Sequence, residues 1–240
     1  MMRLEKFLAD AGIASRRQCA RYITAGKVRV NGKIVTEPGQ RIDPVSASVT
    51  FDGRRVPARQ TKRRTIALYK PRGYITSRSS VQGRTIFDLL PEFPQRLVPA
   101  GRLDKNSEGL LVLSSDGELV NRLTHPGFGH EKTYRVTVSG AAPDSAVKKL
   151  RRPAVVEGRK VKPVKVTFLR EGAKNGRLVL EIVLREGRKR QIRKMCASAG
   201  LRVHRLLRVG IGRLTLEGIK PGKWRDLKKR EISLLFAGKT

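Results

Sequence analysis

Residues 101–113 read Gly101-Arg102-Leu103-Asp104-Lys105-Asn106-Ser107-Glu108-Gly109-Leu110-Leu111-Val112-Leu113. A polar loop bounded by two glycines runs straight into a continuous apolar segment. Four successive apolar residues cannot alternate between a wet and a dry face, so Leu110 to Leu113 predicts a strand buried on both sides. A loop held by such a strand is where a rigid scaffold presents a reactive side chain. Asp104 is the candidate. Flanked by Arg102 and Lys105, its carboxylate is expected to stay ionised and to be able to act as a nucleophile. The plainer alternative is a turn residue or a salt-bridge acceptor.

Strand signals continue on both sides. Thr65 to Tyr69 is apolar and stops at Lys70-Pro71-Arg72-Gly73, while Tyr134–Val138, Val164–Phe168 and Leu178–Leu184 have strand composition. Ser115-Asp116-Gly117-Glu118 has capping-box spacing ahead of a short helix that stops near His125-Pro126. A basic helix is predicted from about Lys189 to Ala199 with its buried face at Ile192, Met195 and Ala199, and Val203 to Leu235 alternates again. Residues 185–208 carry nine Lys/Arg against one acid, a strong nucleic-acid signal in which a guanidinium fork suits a phosphate.

The N-terminal end is built differently. Leu4, Phe7, Leu8 and Ala11 form the stripe of a short helix closed by Gly12. Ser15 caps a second helix, Arg16 to Ala25, that stops at Gly26, and Asn31-Gly32 joins Lys27–Val30 to Lys33–Val35 as a hairpin. Arg16, Arg17 and Arg21 share the helix, and Lys27 and Arg29 share the outer face of the strand. A solvated surface is the bland reading of such charges, but this unit has too few acids to balance them. Residues 57–64 have no apolar period and read as a basic linker. The expected fold is α+β: a small helical and hairpin domain at 1–56, then a mostly antiparallel sheet domain with flanking helices at 65–240.

Composition narrows the partners. The 240 residues hold 53 Lys/Arg and 20 Asp/Glu, a formal charge of +33. Residues 1–64 account for +10 of this and residues 65–240 for +23, so a polyanion is expected to touch both parts. At 39% hydrophobic residues the chain is too apolar for a disordered polycation. There is no run long enough for a membrane helix and no signal-peptide pattern, and the basic Lys189–Ala199 helix lacks a Trp/Phe/Leu face for inserting into a membrane surface. Two cysteines make no disulfide framework, so a cytoplasmic protein is expected. Cysteines and histidines never cluster at metal-ligand spacing, and no phosphate-binding glycine motif occurs, so neither a metal nor a nucleotide cofactor is expected. A charge this large disfavours self-association, which points to a monomer.

Three blocks, GRLDKNSEGLLVLSSDGEL, EKTYRV and EGRKRQIRKM, resemble in order the signature blocks of the rRNA pseudouridine synthases of the RsuA/RluB group. TIFDLLPE and GIASRR look closer to its large-subunit branch. The first 50 or so residues resemble the alpha-L RNA-binding motif shared with ribosomal protein S-four. The resemblance implies an isomerase that detaches a uracil from its ribose, turns it over and rejoins it through carbon five, with no cofactor. It implies that Asp104 is the nucleophile, attacking either the ribose or the uracil ring. It implies that Arg193 pairs with that carboxylate, that Tyr134 packs on the target base and that Arg102 helps to extrude the nucleotide. Arg188, Lys189 and Arg190 join Arg16, Arg17, Arg21, Lys27 and Arg29 as expected RNA contacts. The partner is then rRNA or an assembling ribosomal particle. A non-catalytic ribosome assembly factor on the same N-terminal motif is the alternative.

Overall fold

The computed structural model describes residues 1–57, 63–140, 143–156, 158–161, 163–169 and 177–238. Most of the expected linker, residues 58–62, lies outside them. The chain divides into two units, Met1–Arg63 with Pro94–Arg96, and Arg64–Phe93 with Leu97–Thr240.

In the first unit, α1 (Leu4–Asp10) and α2 (Arg16–Thr24) precede β1 (Val28–Val30) and β2 (Lys33–Val35). Ser15 Oγ accepts the Gln18 N–H at the start of α2, and Gly26 leaves it with φ +69°. Asn31 and Gly32 both have positive φ, which is what a two-residue hairpin of this twist requires. Two further strands, β3 (Val49–Phe51) and β4 (Arg54–Arg55), complete an antiparallel sheet in the order β2-β1-β3-β4. The core is a single apolar cluster in which Leu4, Leu8, Cys19, Ile23 and Val28 are fully buried.

The second unit is a mostly antiparallel sheet. The strands along its main path are β5 (Thr65–Lys70), β6 (Glu108–Ser114), β7 (Lys132–Gly140), β8 (Lys165–Leu169), β9 (Leu178–Leu184), β10 (Leu201–Ile211) and β11 (Trp224–Asp226). They lie in the order β8-β9-β7-β10-β6-β5-β11. Of the pairings along that path only β10 with β6 is parallel, through Leu207 opposite Glu108 and Arg208 opposite Gly109. The continuous apolar run of β6 is explained by two apolar layers. Leu110 and Val112 enter one cluster with Ala67 and Tyr69, while Leu111 and Leu113 enter another with Ile66 and Leu68.

The helices of this unit are α3 (Gly117–Thr124), α4 (Pro143–Leu150), α5 (Gln191–Ser198) and α6 (Lys229–Leu234). Asp116, not Ser115, caps α3, accepting the N–H groups of Glu118 and Leu119. The expected Lys189–Ala199 helix starts two residues later, at Gln191. Arg190 takes a left-handed conformation, φ +54°, and the Gln191 side chain turns back to accept the Arg188 N–H and to donate to Glu186. Lys189 and Arg190 therefore sit, like Arg188, on the turn before α5 rather than on the helix. Ile192, Met195 and Ala199 are buried, as the periodicity predicts. Helices α4 and α6 have no counterpart in the sequence reading.

Candidate active site

The polar loop is fastened through its main chain, carbonyl by carbonyl. Thr76 Oγ1 donates to Leu103 O at 2.9 Å. Ser107 N donates to Asp104 O at 3.0 Å, Gly73 N to Lys105 O at 2.9 Å, and Arg193 Nη2 to Asn106 O at 3.0 Å. The Lys70 ammonium ends the series, donating to Asp104 O at 3.0 Å, Ser107 O at 2.7 Å and Pro71 O at 3.1 Å. Five consecutive carbonyls thus have donors. No ion pair or side-chain hydrogen bond of the half-buried Asp104 carboxylate forms among the described residues. The backbone is tied and the side chain is left available, which is the arrangement a positioned nucleophile needs.

Lys70 is fully buried at the end of β5, opposite Gly109. Burial pulls its pKa down from the usual lysine range to about 8, against the attraction of Asp104 and Glu108. Gly109 has φ +113°, and a Cβ there would stand 2.3 Å from the carbonyl oxygen of Arg208. Only glycine lets the loop enter β6 against its parallel neighbour.

Glu108 organises the cations around the loop. It is buried and accepts Arg205 Nε at 2.8 Å and Nη2 at 3.1 Å, while Tyr69 Oη donates to it at 3.3 Å. Arg72 lies 3.6 Å from the same carboxylate and also donates to the His204 carbonyl. Despite burial, the arginine partners hold the Glu108 carboxyl below the ordinary glutamate range. Two solvent-reaching guanidiniums are thereby pinned by one buried acid at the point where the Asp104 loop enters β6. Arg208 is buried and donates through Nε to Leu110 O at 2.7 Å.

The expected site residues partly converge. Tyr134 is buried on β7 in one apolar cluster with Leu103 and Ile192, the neighbours of Asp104 and Arg193. Arg193 faces the loop but makes no ion pair with Asp104. Its guanidinium bonds the main chain at Asn106 and Val203, and only a longer-range attraction to Asp104 remains. Its Nε is buried without a hydrogen-bond partner among the described residues, so the guanidinium keeps an N–H group beyond the two carbonyls it serves. Burial and the nearby Arg190 and Arg72 charges lower the Arg193 pKa. Arg102 is exposed beside the loop, as are Lys189 and Arg190 before α5, while Arg188 is tied to Glu186 at 3.2 Å. In the other unit Arg16, Arg17, Arg21, Lys27 and Arg29 are all exposed. Arg16 pairs with Glu5 at 2.8 Å and Lys27 with Asp52 at 3.7 Å.

Lys70, Thr76, Glu108, Arg72 and Arg205 were not singled out by sequence reasoning. A Lys closing an apolar strand before Pro, and an acid inside the glycine-bounded loop of an acid-poor chain, were the available signals.

Comparison with known proteins adds to this geometry. Residues 64–198 match the family model for RNA pseudouridylate synthase, and residues 2–45 match that of the S4 domain. The chain is 38% identical over 237 residues to an RNA pseudouridine synthase of Aquifex aeolicus, covering 98% of this chain and 94% of that one. It is 38% identical over 238 residues to the ribosomal large subunit pseudouridine synthase B of Bacillus subtilis, covering 99% and 96%. A crystal structure of a pseudouridylate synthase aligns with a TM-score of 0.66 at 27% identity, covering 98% of this chain and 100% of that one. With its Asp104 loop inside the matched region and similarity running through nearly its whole length, the chain belongs to the RNA pseudouridylate synthase family.

Proposed function

We propose that this enzyme converts one uridine of large-subunit ribosomal RNA to pseudouridine, with Asp104 as the nucleophile. The observation that carries the reading is the fastening of five successive carbonyls around a carboxylate that is itself uncommitted. In the reaction the bond from uracil N1 to ribose C1′ breaks and a bond from C5 to C1′ forms. The C5 proton leaves and N1 gains one, so the atoms balance with no co-reactant. The target base must leave its stack to reach Asp104, and Tyr134 packs against it there. Arg102 helps to extrude it, and Arg193 holds the loop through Asn106. The large-subunit assignment is supported by the name of the Bacillus subtilis relative.

Residues 1–56 form the RNA-gripping domain, 57–64 a basic linker and 65–240 the catalytic domain. Arg16, Arg17, Arg21, Lys27, Arg29, Arg188, Lys189 and Arg190 contact phosphates. The protein works as a cytoplasmic monomer and needs no nucleotide cofactor. Bases inside A-form RNA cannot be read through its deep groove, so the target lies in a loop or a locally opened helix.

The test is incubation with large-subunit rRNA, followed by carbodiimide treatment and reverse transcription. One new stop is expected with the wild type and none with Asp104→Asn, which should bind the same RNA with unchanged affinity. Isomerisation by the variant would overturn the mechanism. Binding without any stop by the wild type would favour the assembly-factor reading.

A further inference from the structure

The twelve Phe, Tyr and Trp residues of this chain are all among the described residues, and Phe128 is the one left exposed, at 53%. It tips the short turn Pro126–Phe128 between Gly127 and Gly129, the latter at φ +56°. Its ring lies nearly parallel to that of His130, 14° apart with centroids 6.1 Å distant. His130 in turn meets the Phe236 ring edge-on at 5.2 Å. The Arg122 guanidinium covers Phe236 at 4.1 Å, and Arg185 is held by Glu131 at 3.1 Å with its side chain still 64% exposed. Phe128, His130, Glu131, Arg185 and Phe236 border a cleft of ≈ 330 Å³ that closes on Gly212 and the segment 235–238, with Arg122 behind Phe236 rather than in the lining.

The cleft is not part of the Asp104 site. On β10, Leu207 and Arg208 pair beside the Asp104 loop, whereas Gly212 lies four residues past Arg208. β10 ends at Ile211, about 10 Å beyond Arg208 at strand rise, and Gly212 turns off its end with φ +56°.

An exposed ring stacked on a second ring, with two guanidiniums close by, offers a π face and positive charge in one place. That combination complements an unpaired nucleotide, which brings a π face and a phosphate, and the +33 chain already demands a polyanion. We infer that the Phe128 cleft is a second RNA contact, a platform on which an unpaired base of the substrate strand stacks away from the target uridine. The inference rests on the proposed RNA reading but concerns a different surface.

The probe is a 20-nucleotide single-stranded RNA carrying 2-aminopurine riboside, compared with the same sequence as a duplex. The wild type should prefer the single strand and alter the 2-aminopurine fluorescence. Phe128→Ala and Phe128→Leu should each weaken single-strand binding about tenfold, Phe128→Tyr should restore it, and duplex binding should not change. The slope of affinity against salt should stay the same, because no charge is lost. Equal affinities of wild type and Phe128→Ala for the single strand would overturn the inference and leave the ring to a protein partner. So would an equal loss on the duplex, or no single-strand preference in the wild type. Unchanged thermal melting of the Phe128 variants removes misfolding as a cause. Pseudouridine formation is measured separately, so absence of activity with the Phe128 effects intact would count against the proposed function and not against the platform.

Discussion

In the N-terminal unit Arg16, Arg17, Arg21, Lys27 and Arg29 stand exposed on α2 and on or just before β1 of a small sheet. In the larger unit Lys70 and Arg208 are buried, and Lys70 Nζ and Arg208 Nε donate to main-chain carbonyls. The same residue types therefore do opposite things. Exposed cations on a packed apolar core are interchangeable, since water serves each as well as its neighbour and screening keeps each contribution small. A buried ammonium has no such freedom. It must find acceptors, and those it finds at Pro71, Asp104 and Ser107 become fixed in turn. The net charge of the two regions has the same sign, but only in the second does a buried cation fasten a loop, the one that carries Asp104.

The contrast can be broken most severely at Gly109. Gly109→Ala would force a Cβ against the Arg208 carbonyl in an unfavourable backbone conformation. A loss of about 4 kcal/mol is expected, seen as a fall of about 10 °C in the melting of the larger unit. A glycine substitution in the exposed hairpin turn, where nothing lies within 4 Å of a Cβ at Gly32, lacks that overlap.

Next is Lys70→Met, which leaves the three carbonyls without their shared donor. Losing that donor offsets the relief from burying a charge, so stability should fall by about 2 kcal/mol. Turnover should drop by roughly two orders of magnitude as the Asp104 loop loosens, with RNA affinity nearly unchanged. The pH dependence has a definite sign. The folded-state pKa is about 8, below the usual lysine value of 10.5, so between these the unfolded chain holds more protons. The stability of the wild type relative to Lys70→Met should therefore increase as pH rises through that window. Denaturant titrations at pH 7.5 and 9.5 would measure it, and a decrease would contradict the account of Lys70.

The smallest effect is expected at Arg17→Ala. Folding stability should change by less than about 0.5 kcal/mol, as for an exposed side chain. RNA affinity should fall only a few-fold, and the slope of its logarithm against that of salt should become shallower by about 0.7–0.9. A loss of turnover at saturating RNA would show that this surface takes part in more than binding.

Local pattern carried much of the architecture. The α1 stripe, the Ser15 cap, the Asn31-Gly32 hairpin and the buried β6 run follow from rules acting over a few residues, and each is found. The turn at Arg190 and helix α4 were harder to read. Nothing adjacent in sequence announces that Gln191 will cap its own helix by bonding Arg188 and Glu186. In the site, the Asp104 loop stood out because acids are scarce and glycines bound it. Lys70 did not, because a lysine after an apolar run looks like the place where a strand meets water.

The sequence alone determined that the chain is a two-part basic α+β protein and that its polar loop feeds a buried strand, since apolar period, turn residues and charge count are local or additive properties. The tertiary structure alone decided which cations matter. Whether a lysine sits in solvent or under the Asp104 loop depends on carbonyls 34 and 37 residues away, and no local rule brings those together.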